Sequence, residues 1–167
     1  MKIFVVLFFA VYTNISAQIY NQIVYDDSAK QNILIGLCNM QAFSDTHFAA
    51  WFSEGYDLYN PLDSAIENLK ESTDNITITI IMATWCSDSR REVPRFYKIL
   101  SLIEFDKENI TLINVNRVKK CQDIDIEKYG IEFVPTFIFY REGNEIGRII
   151  ETPINTLEED MMDILIN

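Results

Sequence analysis

Trp85-Cys86-Ser87-Asp88-Ser89 is the segment best equipped for chemistry. It lies where an apolar run ends and an amphipathic periodicity begins, so Cys86 falls at a strand-to-helix junction. A cysteine is mostly thiol near neutral pH, and the thiolate is the nucleophile. At a helix N-terminus, unsatisfied N–H groups and the positive end of the helix dipole both favour the thiolate. Arg90 and Arg91 add positive potential, which exposure weakens, while Asp88 opposes it. Ser89, one turn along, is placed to donate a hydroxyl hydrogen bond to the sulfur. A Cys-x-x-Cys site would carry its second thiol at that position, so half of a dithiol couple is replaced here. The alternative for Cys86 is a buried packing cysteine.

The elements that hold this segment follow from hydrophobic period. Residues 76–83 read Ile-Thr-Ile-Thr-Ile-Ile-Met-Ala, an alternating strand that becomes apolar on both faces. Residues 87–104 form a helix with Val93, Phe96, Ile99, Leu100 and Ile103 on one face, and Pro94 kinks it. Residues 110–115 are a second strand, and 124–129 a short helix closed by Gly130. A strand over 133–140, a turn at Glu142-Gly143-Asn144 and a returning strand over 145–151 form a hairpin. Asn155 with Glu158 makes a capping box for the last helix. Asn60-Pro61 opens a helix with Leu62, Ala65, Ile66 and Leu69 inward. Upstream, Asp27-Ser28 caps a helix with Ile33, Leu34, Leu37 and Cys38 on one face, and a second helical segment carries Phe48, Trp51 and Phe52.

Residues 1–17 have the layout of a secretory signal peptide: Lys2, an uncharged apolar run over 3–12, and a decay to Ala17. The run is short of the ~20 residues that span a bilayer. The expected division is therefore a signal peptide at 1–17, a helical N-terminal extension at 18–59 packed on the domain, and a domain at 60–167. An exported product, periplasmic or secreted, with no membrane span after signal removal, follows. The formal net charge is −11, without a long basic run, which argues against nucleic acid or anionic membrane as a partner.

Three cysteines, Cys38, Cys86 and Cys121, follow the leader, so at least one thiol is unpaired within the chain. With a single histidine, His47, and no cysteine pair, no metal site is expected. No cofactor is called for. Cys38 reads as a packing residue and His47 as a surface or packing residue. Cys121 follows the second strand at the sheet edge where Cys86 lies, which makes it a secondary candidate for resolving a mixed disulfide.

From Pro61 onward the order α-β-α-β-α-β-β-α, with Trp-Cys at the first strand–helix junction, resembles the thioredoxin superfamily. Trp85-Cys86-Ser87-Asp88-Ser89 matches the family's Trp-Cys-x-x-Cys site, with Ser89 in place of the second cysteine. Pro94 matches the kink proline, Val134-Pro135-Thr136 the cis-proline loop, Glu142-Gly143-Asn144-Glu145 the hairpin, and Gly147 its returning-strand glycine. The segments 91–96, 135–140 and the aromatic run from Trp51 to Tyr59 are similar to exported thioredoxin-like proteins of Bacteroidota type with a Trp-Cys-x-Asp-Ser site. The resemblance implies an α/β thioredoxin-like fold, a central mixed sheet of about four strands flanked by helices. It implies Cys86 and Ser89 as catalytic residues, and Trp85, Val134 and Pro135 as substrate-binding residues. Two positions depart from the family: Ile80 stands where thioredoxins bury an acidic residue, and Leu112 where they place a lysine.

Release of a partner from Cys86 must then come from outside the motif. The expected activity is monothiol thiol–disulfide exchange, of isomerase or small-thiol-adduct-removing (deglutathionylation-like) kind. Its partners are disulfide- or thiol-bearing proteins and an external thiol or partner reductase. The competing classes are a non-enzymatic partner-binding module and a thiol-sensing module on the same fold.

Overall fold

The computed structural model describes residues 20–166. The leader expected at 1–17 lies outside the described residues. Ten regular elements follow one another: β1 (Gln22–Asp26), β2 (Gln31–Cys38), α1 (Ala49–Leu58), α2 (Asp63–Lys70), β3 (Ile76–Met82), α3 (Ser87–Leu102), β4 (Ile110–Asn114), β5 (Thr136–Arg141), β6 (Asn144–Ile150) and α4 (Leu157–Ile166). The strands form one mixed sheet in the order β1-β2-β4-β3-β5-β6. β3 and β4 are parallel, and every other neighbouring pair is antiparallel.

The central strands are apolar on both faces because both faces are covered. Ile78, Ile80 and Met82 of β3 face the larger core, where Phe96, Phe137 and Phe139 pack with rings 4.3–6.0 Å apart. Ile81 and Ala83 face a smaller cluster with Ile113, Val115, Val134 and Ile138. The α3 face read from the period is buried throughout: Val93, Phe96, Ile99, Leu100 and Ile103 are at most 5% exposed. Pro94 lies inside α3, and a Cβ on Gly55 of α1 would stand 3.1 Å from its ring.

The N-terminal extension departs from the helical expectation. Residues 31–38 form a strand, and with β1 they add an antiparallel hairpin to the sheet, making six strands rather than about four. Asp27-Ser28 is the hairpin turn, closed by Asp26 Oδ1, which accepts from the N–H groups of Ser28 and Ala29 at 2.8 and 2.9 Å. Two features suit a strand over a helix: β2 pairs on both edges, and Gly36 sits at φ +79°, outside the right-handed helical region. Among the described residues of the extension, α-helix appears as α1, after a 3₁₀ turn at Met40–Ser44.

Other boundaries moved by one to three residues. α2 starts at Asp63, with Leu62 rather than Asn60 as its cap. The turn at Glu127–Tyr129 is 3₁₀, ended by Gly130 in the left-handed region. The capping box of α4 is Thr156 with Glu159: each side chain accepts the other's backbone N–H, at 3.3 and 3.1 Å. Glu158 is thereby left out of the cap and free to accept other bonds.

Among the described residues no helix is long and apolar enough to cross a membrane, and no group of His, Cys, Asp or Glu could hold a metal ion.

Candidate functional site

β3 delivers the chain through Ala83 and Thr84 to Trp85-Cys86, and α3 begins at Ser87 with Cys86 as its N-cap residue. The Cys86 N–H closes a turn to the Ala83 carbonyl at 3.0 Å, and the Cys86 carbonyl accepts the first helical bond, from Arg90 N–H, at 3.1 Å. This places a partly exposed sulfur at the head of a 16-residue helix.

The loop before β5 faces it. The Val134–Pro135 peptide is cis, and the Cys86 thiol donates to the Val134 carbonyl at 3.2 Å. Val134 and Pro135 are buried, while Phe133 beside them is 48% exposed. The loop is held by Thr136 Oγ1, which donates to the Phe133 carbonyl at 2.8 Å, and by the Pro135 carbonyl, which accepts from Glu151 N–H at 2.7 Å. Trp85 is fixed from the other side: its indole N–H donates to the Val115 carbonyl at 3.0 Å, and Arg117 lies over its ring at 5.0 Å. Trp85, Cys86 and Val134 thus meet at the smaller core, with Pro135 joined to Val134 through the cis peptide.

Ser89 sits differently from its expected role. It is fully buried, and its Oγ accepts the backbone N–H of Ala83 at 3.2 Å. The thiol bonds to the proline loop and the serine bonds to the end of β3. Below, Ile80 and Leu112 are directly paired across β3 and β4, 0% and 2% exposed. The two positions where the resemblance places charged groups therefore lie in the apolar core.

Arg90 is also held more firmly than exposure would suggest. Half-buried, it donates from Nε to the Thr84 carbonyl and from Nη2 to Gln31 Oε1 at 2.8 Å, with its guanidinium 5.8 Å from the Trp51 ring centre. Thr84 Oγ1 accepts Leu34 N–H at 3.1 Å. Through Arg90 and Thr84 the N-terminal hairpin is tied to the loop that carries Cys86. Sequence reasoning missed Thr84, Gln31 and Arg117; the i+4 spacing of Arg90 from Cys86 was the one available signal.

The three cysteines are free thiols. Cys38 is 4% exposed, and burial pushes its thiol up to about 11. Cys121 is partly buried, its thiol also raised by burial, and its Sγ is directed to the Ile124 carbonyl at 4.0 Å. It packs on the same apolar cluster as Cys86. His47 is exposed, with Nδ1 2.7 Å from Asp45 and Nε2 2.8 Å from the Asn32 amide.

A protein-family model described as Thioredoxin matches residues 45–163. The chain belongs to the thioredoxin family. Similar relatives include a thioredoxin from Echinococcus granulosus, 29% identical over 77 residues, which are 46% of this chain and 66% of that protein. Another is the mitochondrial thioredoxin-2 of Schizosaccharomyces pombe, 29% identical over 90 residues, 54% of this chain and 63% of the relative. The matches thus span a little under two-thirds of these relatives' length. A solved protein of unknown function from Pseudomonas aeruginosa shares the fold, with TM-score 0.55 and 18% identity, covering 79% of this chain and 91% of that one. In this thioredoxin-family chain the family match begins ahead of α1 and takes in β3, Cys86, the proline loop and most of α4.

Proposed function

We propose that Cys86 is the single nucleophile of a thiol–disulfide exchange protein that acts on disulfide- or thiol-bearing proteins. The thiolate attacks one sulfur of a substrate disulfide, the substrate S–S bond breaks, and the departing thiolate takes a proton from water. A mixed disulfide between Cys86 and the substrate remains. An external thiolate then attacks the mixed disulfide, and Cys86 leaves as the thiolate. Such chemistry suits isomerisation or removal of small-thiol adducts. The observation that carries the monothiol reading is the buried Ser89, which holds the Ala83 N–H and supplies no second sulfur. Family membership supports the exchange chemistry.

Trp85, Val134 and Pro135 form the face on which a substrate would lie, with the Val134 carbonyl beside the sulfur. The signal-peptide-like layout of residues 1–17 supports an exported protein of the Trp-Cys-x-Asp-Ser kind, acting outside the cytoplasm. Its test is turnover of a peptide disulfide in excess small thiol, comparing wild type with Cys86→Ser. Loss of the catalysed rate in the variant is expected; equal rates would leave a binding module as the better reading.

A further inference from the structure

A groove of about 520 Å³ opens between α1 and the first turns of α3, with Cys86 itself off its wall. Trp85 and Ser87, the two chain neighbours of Cys86, lie on its wall, together with Trp51 and Arg90. Its size is that of a small-molecule site, about 300–1,000 Å³. The charges in it are unevenly matched. Arg91 pairs with Asp88 at 2.8 Å and with Glu92, and Arg95 lies 3.6 Å from Glu92. Glu54 stands on the wall as well. Arg90 has only neutral partners: a carbonyl, an amide oxygen and an indole ring, with no carboxylate at ion-pair distance among the described residues. The indole N–H of Trp51, also on the wall, is buried without an acceptor. In a chain of net charge −11, an arginine left without a counter-ion one helical turn from the thiol stands out against the average field.

We propose that this groove holds a carboxylate-bearing low-molecular-weight thiol, with its carboxylate on Arg90. The inference rests on the monothiol reading and names the external thiol which that reading requires. The substrate is then a mixed disulfide between a protein and the small thiol. The Cys86 thiolate attacks the small thiol's sulfur, the S–S bond breaks, and the protein leaves as a thiolate that is protonated by water. A second small thiolate attacks the sulfur now bound to Cys86, forming the small-molecule disulfide and restoring the Cys86 thiolate. Per turnover one mixed disulfide is reduced to the protein thiol, and one free small thiol is consumed, ending as half of the small-molecule disulfide.

The probes are a peptide mixed disulfide with 3-mercaptopropionate and its neutral counterpart with 2-mercaptoethanol, each resolved by its own free thiol. Peptide release is read per thiolate and relative to the uncatalysed rate. The full-length protein is expected to favour the anionic pair by about tenfold, the order of one charge-assisted hydrogen bond. Arg90→Gln should bring that ratio close to one. Because Arg90 also ties the N-terminal hairpin, a second arm uses wild-type protein: excess propionate should slow the anionic pair and leave the neutral pair unchanged. A ratio near one in the wild type, or a preference that neither Arg90→Gln nor propionate alters, overturns the groove assignment. If Cys86→Ser retains both rates, the monothiol reading fails; if it loses both while the wild-type ratio is one, only the groove assignment fails.

Discussion

Ser89 Oγ accepts the backbone N–H of Ala83 at 3.2 Å, with the serine wholly out of solvent. The bond joins Ala83, the residue after β3, to the first turn of α3 and holds closed the loop on which Trp85 and Cys86 ride. Ser89→Ala should therefore act first on stability. It leaves a buried N–H without a partner, at a cost of about 1–3 kcal/mol. A lowered urea midpoint is the expected result, with the rate of Cys86 toward an aromatic disulfide changed less than about threefold. If that rate falls by an order of magnitude or more while the midpoint holds, the serine acts on the sulfur directly. Ser89→Cys should allow substrate release in a single turnover without added thiol, read by gel shift of the trapped complex.

Cys38 supplies a pH signature separate from the site. Its thiol ionises near 9 when unperturbed and at about 11 in the folded chain, because burial disfavours the thiolate. The folded state thus keeps a proton that the unfolded state loses. Stability from this group is complete below about pH 9 and declines as pH rises toward 11, by about 2–3 kcal/mol in all. Buried Tyr97 and partly buried Tyr59 are also raised, and join the decline above pH 10. Between pH 9 and 10 the slope of stability against pH should be shallower in Cys38→Ala than in wild type. Equal slopes would show that Cys38 ionises as readily folded as unfolded. Alkylation of the native protein with iodoacetamide at pH 8 should label Cys86 and spare Cys38, read by peptide mass.

How much of this was legible beforehand depends on the element. β3 and α3 carry unambiguous periods, and the buried residues of α3 are those the period selects. β2 is ambiguous in sequence because Ile33, Leu34, Leu37 and Cys38 satisfy a helical stripe as well as a two-sided strand. What decides between them is pairing with β1 and β4, which is not local. At the site, the sequence names Cys86, Ser89 and Pro135. It does not say which bond a buried hydroxyl makes, nor that Arg90 folds back onto the Thr84 carbonyl. Those choices follow from where unsatisfied backbone groups end up after folding.

Gly147 on β6 offers a packing test. A Cβ there would meet Ile164 Cγ1 and Cγ2 of α4 at 2.9 Å, closer than side-chain atoms pack. Gly147→Ala should push α4 from the sheet and cost about 1–3 kcal/mol. Ile164→Ala removes both clashing atoms, so the double variant should lose less than the two single losses combined, with a coupling of at least about 0.5 kcal/mol. Strict additivity in urea melts would mean that α4 does not sit against β6 as described.

The task freed for Glu158 by the shifted capping box is to tie three helices together. It is 2% exposed; its Oε2 accepts the Tyr59 hydroxyl at 2.6 Å, and its Oε1 accepts the Leu62 N–H at 3.0 Å. Tyr59 ends α1, Leu62 caps α2, and Glu158 lies in the first turn of α4. Bonds to a charged acceptor contribute about 1.5–3 kcal/mol each, and a donor left buried costs comparably. Glu158→Ala should therefore destabilise by about 3 kcal/mol. Tyr59→Phe, which leaves the Leu62 bond intact, should cost less than half of that. Because the freed segment is the link between α1 and α2, limited proteolysis of Glu158→Ala should cut near residues 59–62 under conditions that leave wild type whole. A loss below about 0.5 kcal/mol with unchanged proteolysis would show that packing alone holds the three helix ends, with the carboxylate dispensable.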